Sequence, residues 1–316
     1  MPLRIVFCGT PAFAVPSLRL LLAQPDFEVA SVITQPDRPR GRGHEVSVSA
    51  VKAAALDANI PVFQPEKIRS EDSQAHLQSI AADVIVIIAY GQIIPARLIA
   101  LPRLGWINLH GSLLPKYRGA APINWAIVNG EARTGLTTMQ INPGLDTGPM
   151  LLKYETDIAP DETAPQLAAR LSEAGAPLMV ETLRKLSSGE IQPIPQDDSQ
   201  ATFAPMLKKE DGLVDWSLTA QQIYNHIRGL QPWPGTFTKF RGKTGHIWGA
   251  PAPTRTSAPA GTLLPQDNQL LVACGGHTTM ALEFVQIEGR KRVTAREFAN
   301  GARLAPGDQF GKISGD

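Results

Sequence analysis

Two cysteines in 316 residues leave little room for disulfide chemistry. Cys8 and Cys274 lie far apart, and no Cys-x-x-Cys pair occurs. This fits a reducing compartment and supplies neither a structural zinc site nor a disulfide framework. No run approaches the roughly 18 apolar residues a membrane span needs, so no membrane association is expected. The six histidines show no H-E-x-x-H spacing, and no metal site is expected. No G-x-x-x-x-G-K-S/T occurs, so no nucleoside triphosphate site is indicated. The first turn, Cys8 to Ala14, has Pro11 where a G-x-G-x-x-G fingerprint requires Gly, which argues against a nicotinamide cofactor. Ser112 lacks the G-x-S-x-G elbow of a hydrolase nucleophile. The start enters a strand pattern directly, without the basic region, apolar core and cleavage site of a secretory signal. A cytoplasmic location is the resulting expectation.

The content is that of an ordinary globular chain, 43% hydrophobic, and the length suits two domains. The net charge of +1 conceals an asymmetry. Residues 1–206 carry 17 Lys and Arg against 20 Asp and Glu, a balance of −3. Residues 207–316 carry 13 against 9, a balance of +4. A mildly basic C-terminal part is a weak pointer to a polyanionic partner.

Hydrophobic periodicity alternates between strand and helix in the first half. Strands are expected at 3–9, 27–34, 61–63, 83–91, 105–111 and 134–141. Helices are expected at 13–23, 51–58, 70–81, 121–130 and 161–189. The continuous Val/Ile run at 83–91 is typical of a parallel strand covered on both faces. This order predicts an α/β fold with a doubly wound, mostly parallel sheet. Residues 191–206, rich in Pro, Gln and Asp, read as a linker between a domain at 1–190 and another at 207–316. Beyond the linker, one helix at 219–230 precedes several short strands with turn signals, and a short helix follows at 294–301. That pattern suggests a small barrel or sandwich, of which the five-stranded oligonucleotide-binding barrel is one form.

Asn108 and His110 end the strand at 105–111. Side chains at i and i+2 leave the same strand face, so both face one space at the C-terminal rim, where such sheets bind ligands. An amide and an imidazole together suit a carbonyl oxygen that becomes negative during attack. The alternative is local bonding to the backbone at a strand end. Asp146 lies between Gly144 and Gly148 after another strand. It could face His110, hold its tautomer and pass protons through water, or it could stabilise a Gly-rich turn. Arg38, Arg40 and Arg42 alternate with Pro and Gly between a strand and a helix. They form either a phosphate-gripping loop or a solvated basic one.

Several stretches together resemble the methionyl-tRNA formyltransferase family: FCGTPAFAVPSL, ITQPDRPRGRG, IIAYGQIIP, INLHGSLLPKYRGAAPINWAI, GLDTGPM, VDWS and QPWPGTFT. They run in the family's order over nearly the whole chain. The Asn-His-Ser-Leu-Leu-Pro portion with the later Asp is shared with other enzymes that use 10-formyltetrahydrofolate, glycinamide ribonucleotide formyltransferase among them. The resemblance implies a Rossmann-like formyltransferase domain and a C-terminal OB-like barrel that binds tRNA. It implies catalytic roles for Asn108, His110 and Asp146, and a folate site at Ala89, Tyr90, Gly91, Ser112, Leu113, Leu114 and Pro115. It also implies a tRNA contact at Arg42. The implied substrates are 10-formyltetrahydrofolate and methionylated initiator tRNA, for translation initiation, with no metal, and a monomer is expected. One departure is Met206, where the family commonly carries Lys; Lys208 and Lys209 are the candidate substitutes. Two other functions stay open at this point: formyl transfer to a small amine, and RNA binding without catalysis.

Overall fold

The computed structural model describes residues 1–40, 45–266 and 269–311. The chain divides into two compact units. Unit 1 comprises Met1–Pro122, Arg133–Asp157 and Gln166–Pro205; unit 2 comprises Ile123–Ala132, Ile158–Pro165 and Met206–Asp316. Among the described residues no helix is long and apolar enough to cross a membrane.

The strands of unit 1, in chain order, are β1 (Leu3–Gly9), β2 (Phe27–Ile33), β3 (Arg38–Arg40), β4 (Glu45–Ser47), β5 (Val62–Phe63) and β6 (Val84–Ile88). There follow β7 (Trp106–His110), β8 (Arg118–Gly119), β9 (Arg133–Gln140), β10 (Met150–Asp157) and β11 (Phe203–Ala204). Seven of them form one sheet in the order β10-β9-β7-β6-β1-β2-β5. The five from β7 to β5 are parallel, and β9 and β10 join as an antiparallel edge. β1 lies between β2 and β6, so the winding reverses at β1, and the C-terminal ends of β1, β2, β6 and β7 share one rim. β3 pairs with β4 as a separate hairpin, and β8 pairs with β11.

Local chemistry explains these elements. All five residues of β6 are buried, as a strand covered on both faces requires. The expected strand at 83–91 stops at Ile88 because Ala89 and Gly91 take positive φ angles of 47° and 87°. The helices are α1 (Val15–Leu22), α2 (Ala50–Asp57), α3 (Glu71–Ile80), α4 (Ala96–Ile99), α5 (Pro122–Val128, nearly all in unit 2) and α6 (Ala164–Ser188). Ser49 caps α2 by accepting from the Lys52 N–H at 3.0 Å. Ser70 caps α3, whose first turn carries Glu71 and Asp72 against the helix dipole. In α6, a Cβ on Gly175 would meet Leu109 Cδ2 at 2.4 Å, so glycine lets the helix approach the sheet. Fully buried side chains such as Phe7, Ile5 and Trp106 dominate the core of this unit. Each contributes roughly 1.5–3 kcal/mol by burial.

β9 is buried from Thr134 to Met139, so both of its faces are covered. Residues 191–205, part of the segment read as a linker at 191–206, are hydrogen-bonded along unit 1: Met150 and Ile194 exchange two main-chain bonds of 2.8 Å, and β11 pairs with β8. The polar, unpatterned composition of this strap reflects main-chain pairing rather than a buried face.

Unit 2 holds α7 (Ala220–Gly229), β12 (Phe237–Phe240), β13 (Lys243–Ala252), β14 (Leu263–Gln266), β15 (Gln269–Ala273), β16 (Thr279–Ile287), β17 (Val293–Thr294) and α8 (Ala295–Ala302). Its sheet is antiparallel in the order β12-β13-β16-β15-β14, with β17 on β16, consistent with a barrel-like domain. Thr219 and Gln222, and Thr294 and Glu297, form capping boxes on α7 and α8. Phe240, Phe298 and Phe310 pack edge and face in the core, with Trp216 stacked on Phe310. The buried Arg228 guanidinium donates to Asn225 Oδ1 and to the main-chain oxygens of Ala159 and Glu162, which ties the 158–165 segment into this unit.

Candidate active site

β7 delivers Asn108 and His110 to the C-terminal rim. Asn108 is half-buried between Ile87 of β6 and Met139 of β9. Its side-chain amide makes no hydrogen bond among the described residues. His110 is 5% exposed. Its Nε2 lies 2.9 Å from the Tyr117 carbonyl oxygen, and a carbonyl can only accept, so Nε2 carries a proton there. The free nitrogen, Nδ1, is 3.6 Å from Asp146 Oδ2.

Asp146 is held from two directions. Its Oδ2 accepts from the Gly119 N–H at 2.9 Å. Its own backbone is left-handed, at φ 49°, a region a non-glycine residue enters only under restraint. The neighbouring loop requires Gly148, since a Cβ there would fall 1.8 Å from the Gln140 carbonyl oxygen. Two residues of one strand and a third that is distant in sequence therefore belong to one rim, and a carboxylate faces the one imidazole nitrogen not tied to the backbone. Such an arrangement offers an uncharged donor, a ring able to carry a proton at Nδ1, and a fixed negative charge beside it. That is the equipment for meeting charge on an oxygen and for moving a proton.

Likeness to known proteins extends over almost the whole chain. Residues 3–183 match the family model described as formyl transferase, and residues 206–303 match the formyl transferase C-terminal domain. The chain belongs to the formyl transferase family. A methionyl-tRNA formyltransferase of Solibacter usitatus is 54% identical over 98% of this chain and 99% of its own. One from Koribacter versatilis is 53% identical over the same shares. Among solved structures, an N-formyltransferase from Helicobacter canadensis, in complex with folinic acid and dTDP-3-aminofucose, has a TM-score of 0.64 at 18% identity, covering 89% of this chain and 99% of its own. A glycinamide ribonucleotide transformylase from Symbiobacterium toebii has a TM-score of 0.52 at 18% identity, over 61% of this chain and 94% of its own. At such identities these structures show a shared fold. The chain is thus a formyl-transferring enzyme with a Rossmann-like N-terminal domain.

In this formyl transferase the residues expected at the folate site are distributed unevenly. Ala89 and Gly91 are exposed at the turn after β6. The Tyr90 side chain instead packs in the core with Cys8, Ile85 and Trp106, where its hydroxyl has no hydrogen-bond partner among the described residues. Burial pushes that hydroxyl up from the usual tyrosine range. Only the main chain of Tyr90 faces the rim: its carbonyl accepts from Gln35 Nε2 at 3.0 Å. Ser112 and Leu114 are buried at 1% and 0% exposure. Ser112 Oγ donates to the Lys116 carbonyl at 2.6 Å, and the Leu114 N–H donates to Thr137 Oγ1 at 3.1 Å. Leu113 and Pro115 are half-buried. Ser112 and Leu114 therefore shape the turn, and the surfaces left for a ligand are those of Ala89, Gly91, Leu113 and Pro115.

A cleft of about 630 Å³ opens beside the ends of β1, β2 and β6, lined in part by Thr10, Gln35, Asp37, Ser49, Gly91 and Gln92. Asp37 is paired with the Lys52 ammonium and accepts from Gln64, and these bonds hold its carboxyl below the usual range. Of the arginines expected to meet tRNA, Arg38 is exposed and 3.8 Å from Glu66. Arg40 lies on β3, and Arg42 lies outside the described residues. Met206 is 72% exposed.

Sequence reasoning passed over Tyr117, Arg118 and Gly119 as site residues, although they stand in the PKYRGA stretch. It also passed over Gln196, for which no local signal exists.

Proposed function

We propose that this enzyme transfers the formyl group of 10-formyltetrahydrofolate to the α-amine of methionine on initiator tRNA. The observation that carries the reading is the His110–Asp146 pair, 3.6 Å apart on the strand rim that also bears Asn108. Near-full-length likeness to relatives bearing the methionyl-tRNA formyltransferase name supports the choice of acceptor.

In this reading the amine nitrogen bonds to the formyl carbon while the carbon's bond to the folate nitrogen breaks. During attack the formyl oxygen gains negative charge. Asn108 Nδ2 donates to it without changing its own charge. With Nε2 already donating to Tyr117, His110 supplies its second donor from Nδ1 in the protonated ring. Asp146 balances that ring, takes up the amine's proton through water and returns it to the departing folate nitrogen, which leaves as the neutral amine. The Ala89–Gly91 turn, Leu113 and Pro115 offer main-chain groups and apolar contact to the folate. The division of labour follows the charge: residues 1–190 for chemistry, and residues 207–316, with their +4 balance, for the tRNA polyanion.

The test is an assay of the purified protein with 10-formyltetrahydrofolate and either methionyl-tRNA or a nucleotide-linked amino sugar. Formylated initiator tRNA, little formylated elongator tRNA and no formylated sugar are expected. Turnover of the sugar alone would overturn the acceptor assignment.

A further inference from the structure

Gln196 lies in the strap that follows α6, and both ends of its amide are engaged. Its Oε1 accepts from Arg118 Nε at 3.0 Å and Nη2 at 2.8 Å. Its Nε2 donates to the main-chain oxygens of Asp146 at 2.8 Å and Gly148 at 2.7 Å. These partners fix which end is nitrogen, since a guanidinium can only donate and a carbonyl can only accept. Arg118 is 4% exposed, and its charge is met by Asp198 at 2.6 Å. The amide thus joins a buried cation to the loop that presents Asp146.

The same strap grips the opposite side of the site. The Tyr117 N–H donates to Thr202 Oγ1 at 2.9 Å, and the Arg118 N–H donates to the Thr202 carbonyl at 2.8 Å. Phe203 and Ala204 pair in register with Arg118 and Gly119. This pinned segment carries the Tyr117 carbonyl that orients His110 and the Gly119 N–H that holds Asp146. One strap therefore sets both members of the pair, and Gln196 is the side chain in it that reaches the Asp146 loop.

We infer that Gln196 is a positioning residue for formyl transfer, holding the Asp146 loop so that the carboxylate faces His110 Nδ1. This rests on the reading of Asp146 and His110 as groups that act on the formyl centre. Geometry at the reacting atoms is worth far more than the bonds that hold it, since a misplacement of about 1 Å can cost about 100-fold in rate. A glutamate at 196 keeps the length and still accepts from Arg118, but it presents no N–H to the two carbonyls. A methionine keeps the length and makes neither set of bonds.

The experiment compares Gln196→Glu, Gln196→Met and Asp146→Asn with the parent enzyme. It measures kcat and KM for methionyl-tRNA and for 10-formyltetrahydrofolate, the pH profile of kcat, and Tm. Both Gln196 variants are expected to lose about 10- to 100-fold in kcat, with KM little changed, Tm near the parent's and the pH profile displaced. Gln196→Glu combined with Asp146→Asn is expected to be no slower than Asp146→Asn alone, because both act through one group. If Asp146→Asn is crippled while either Gln196 variant keeps the parent's kcat and pH profile, the positioning role is wrong and the Asp146 reading stands. If kcat falls only in step with Tm and the pH profile stays put, the role is structural and the inference fails. Full activity in Asp146→Asn would remove both.

Discussion

The rim at β7 and the hairpin of β3 and β4 both stand at strand ends of unit 1, yet they are built on opposite plans. At the rim, His110 is buried, its Nε2 is tied to a main-chain carbonyl, and Asp146 is held by a main-chain N–H. At the hairpin, Arg38 is 69% exposed at its side chain, with Glu66 at 3.8 Å. Under the proposed function the difference follows from two tasks. Meeting charge on one oxygen requires donors fixed before the reaction, in a site where water competes little. Meeting a polyphosphate backbone requires only positive charge within reach, and an exposed ion pair opposes its release weakly.

Mutation separates the two plans most clearly at His110. His110→Ala should lower kcat by about 10²–10³, or roughly 3–4 kcal/mol of transition-state stabilisation, with little change in tRNA binding by filter retention. A variant that instead weakens tRNA binding at full kcat would place His110 with the docking groups. A smaller effect is expected at the hairpin. Arg38→Ala should raise KM for tRNA and lower the slope of log K against log salt by about one, leaving kcat alone. An unchanged salt slope would remove Arg38 from the phosphate contacts.

The smallest effect concerns stability in unit 2. Burial holds His226 below the usual histidine range, against the opposite pull of Asp211 and Asp215. As pH falls through about 6.5, the unfolded chain takes up this proton before the folded one does. The stability associated with neutral His226 is therefore full above that pH and is lost as pH drops toward the folded value. Urea midpoints at pH 8 and 5.5 should fall less in His226→Gln than in the parent. An equal fall in both would exclude His226 as a source of the dependence.

Much of this was legible in the sequence. The apolar runs place the parallel strands, and the two-residue spacing of Asn108 and His110 sets them on one face of β7. The place of Asp146 came from family resemblance, because a Gly-rich loop has no period that fixes its direction. Tyr90 is implied at the folate site by family resemblance alone; its side chain is buried because the apolar packing of β6 continues past the strand end, which leaves its main chain to face the rim. Gln196 was unreadable, since its partners lie 48 to 78 positions away and its own segment is held by main-chain pairing. The arginine stretch reads as a loop because Pro and Gly between arginines exclude a helix, whereas Arg38–Arg40 pairs with Glu45–Ser47 as a short strand.

The most direct test lies at Asn108, whose side chain makes no hydrogen bond among the described residues and therefore has no folding bond to lose. Single-turnover formylation of saturating methionyl-tRNA by Asn108→Ala should slow by about 10²–10³, with the dissociation constant for tRNA and the Tm unchanged. Formylation at the parent's rate would show that charge on the formyl oxygen is met elsewhere, and the rim would lose its assigned chemistry.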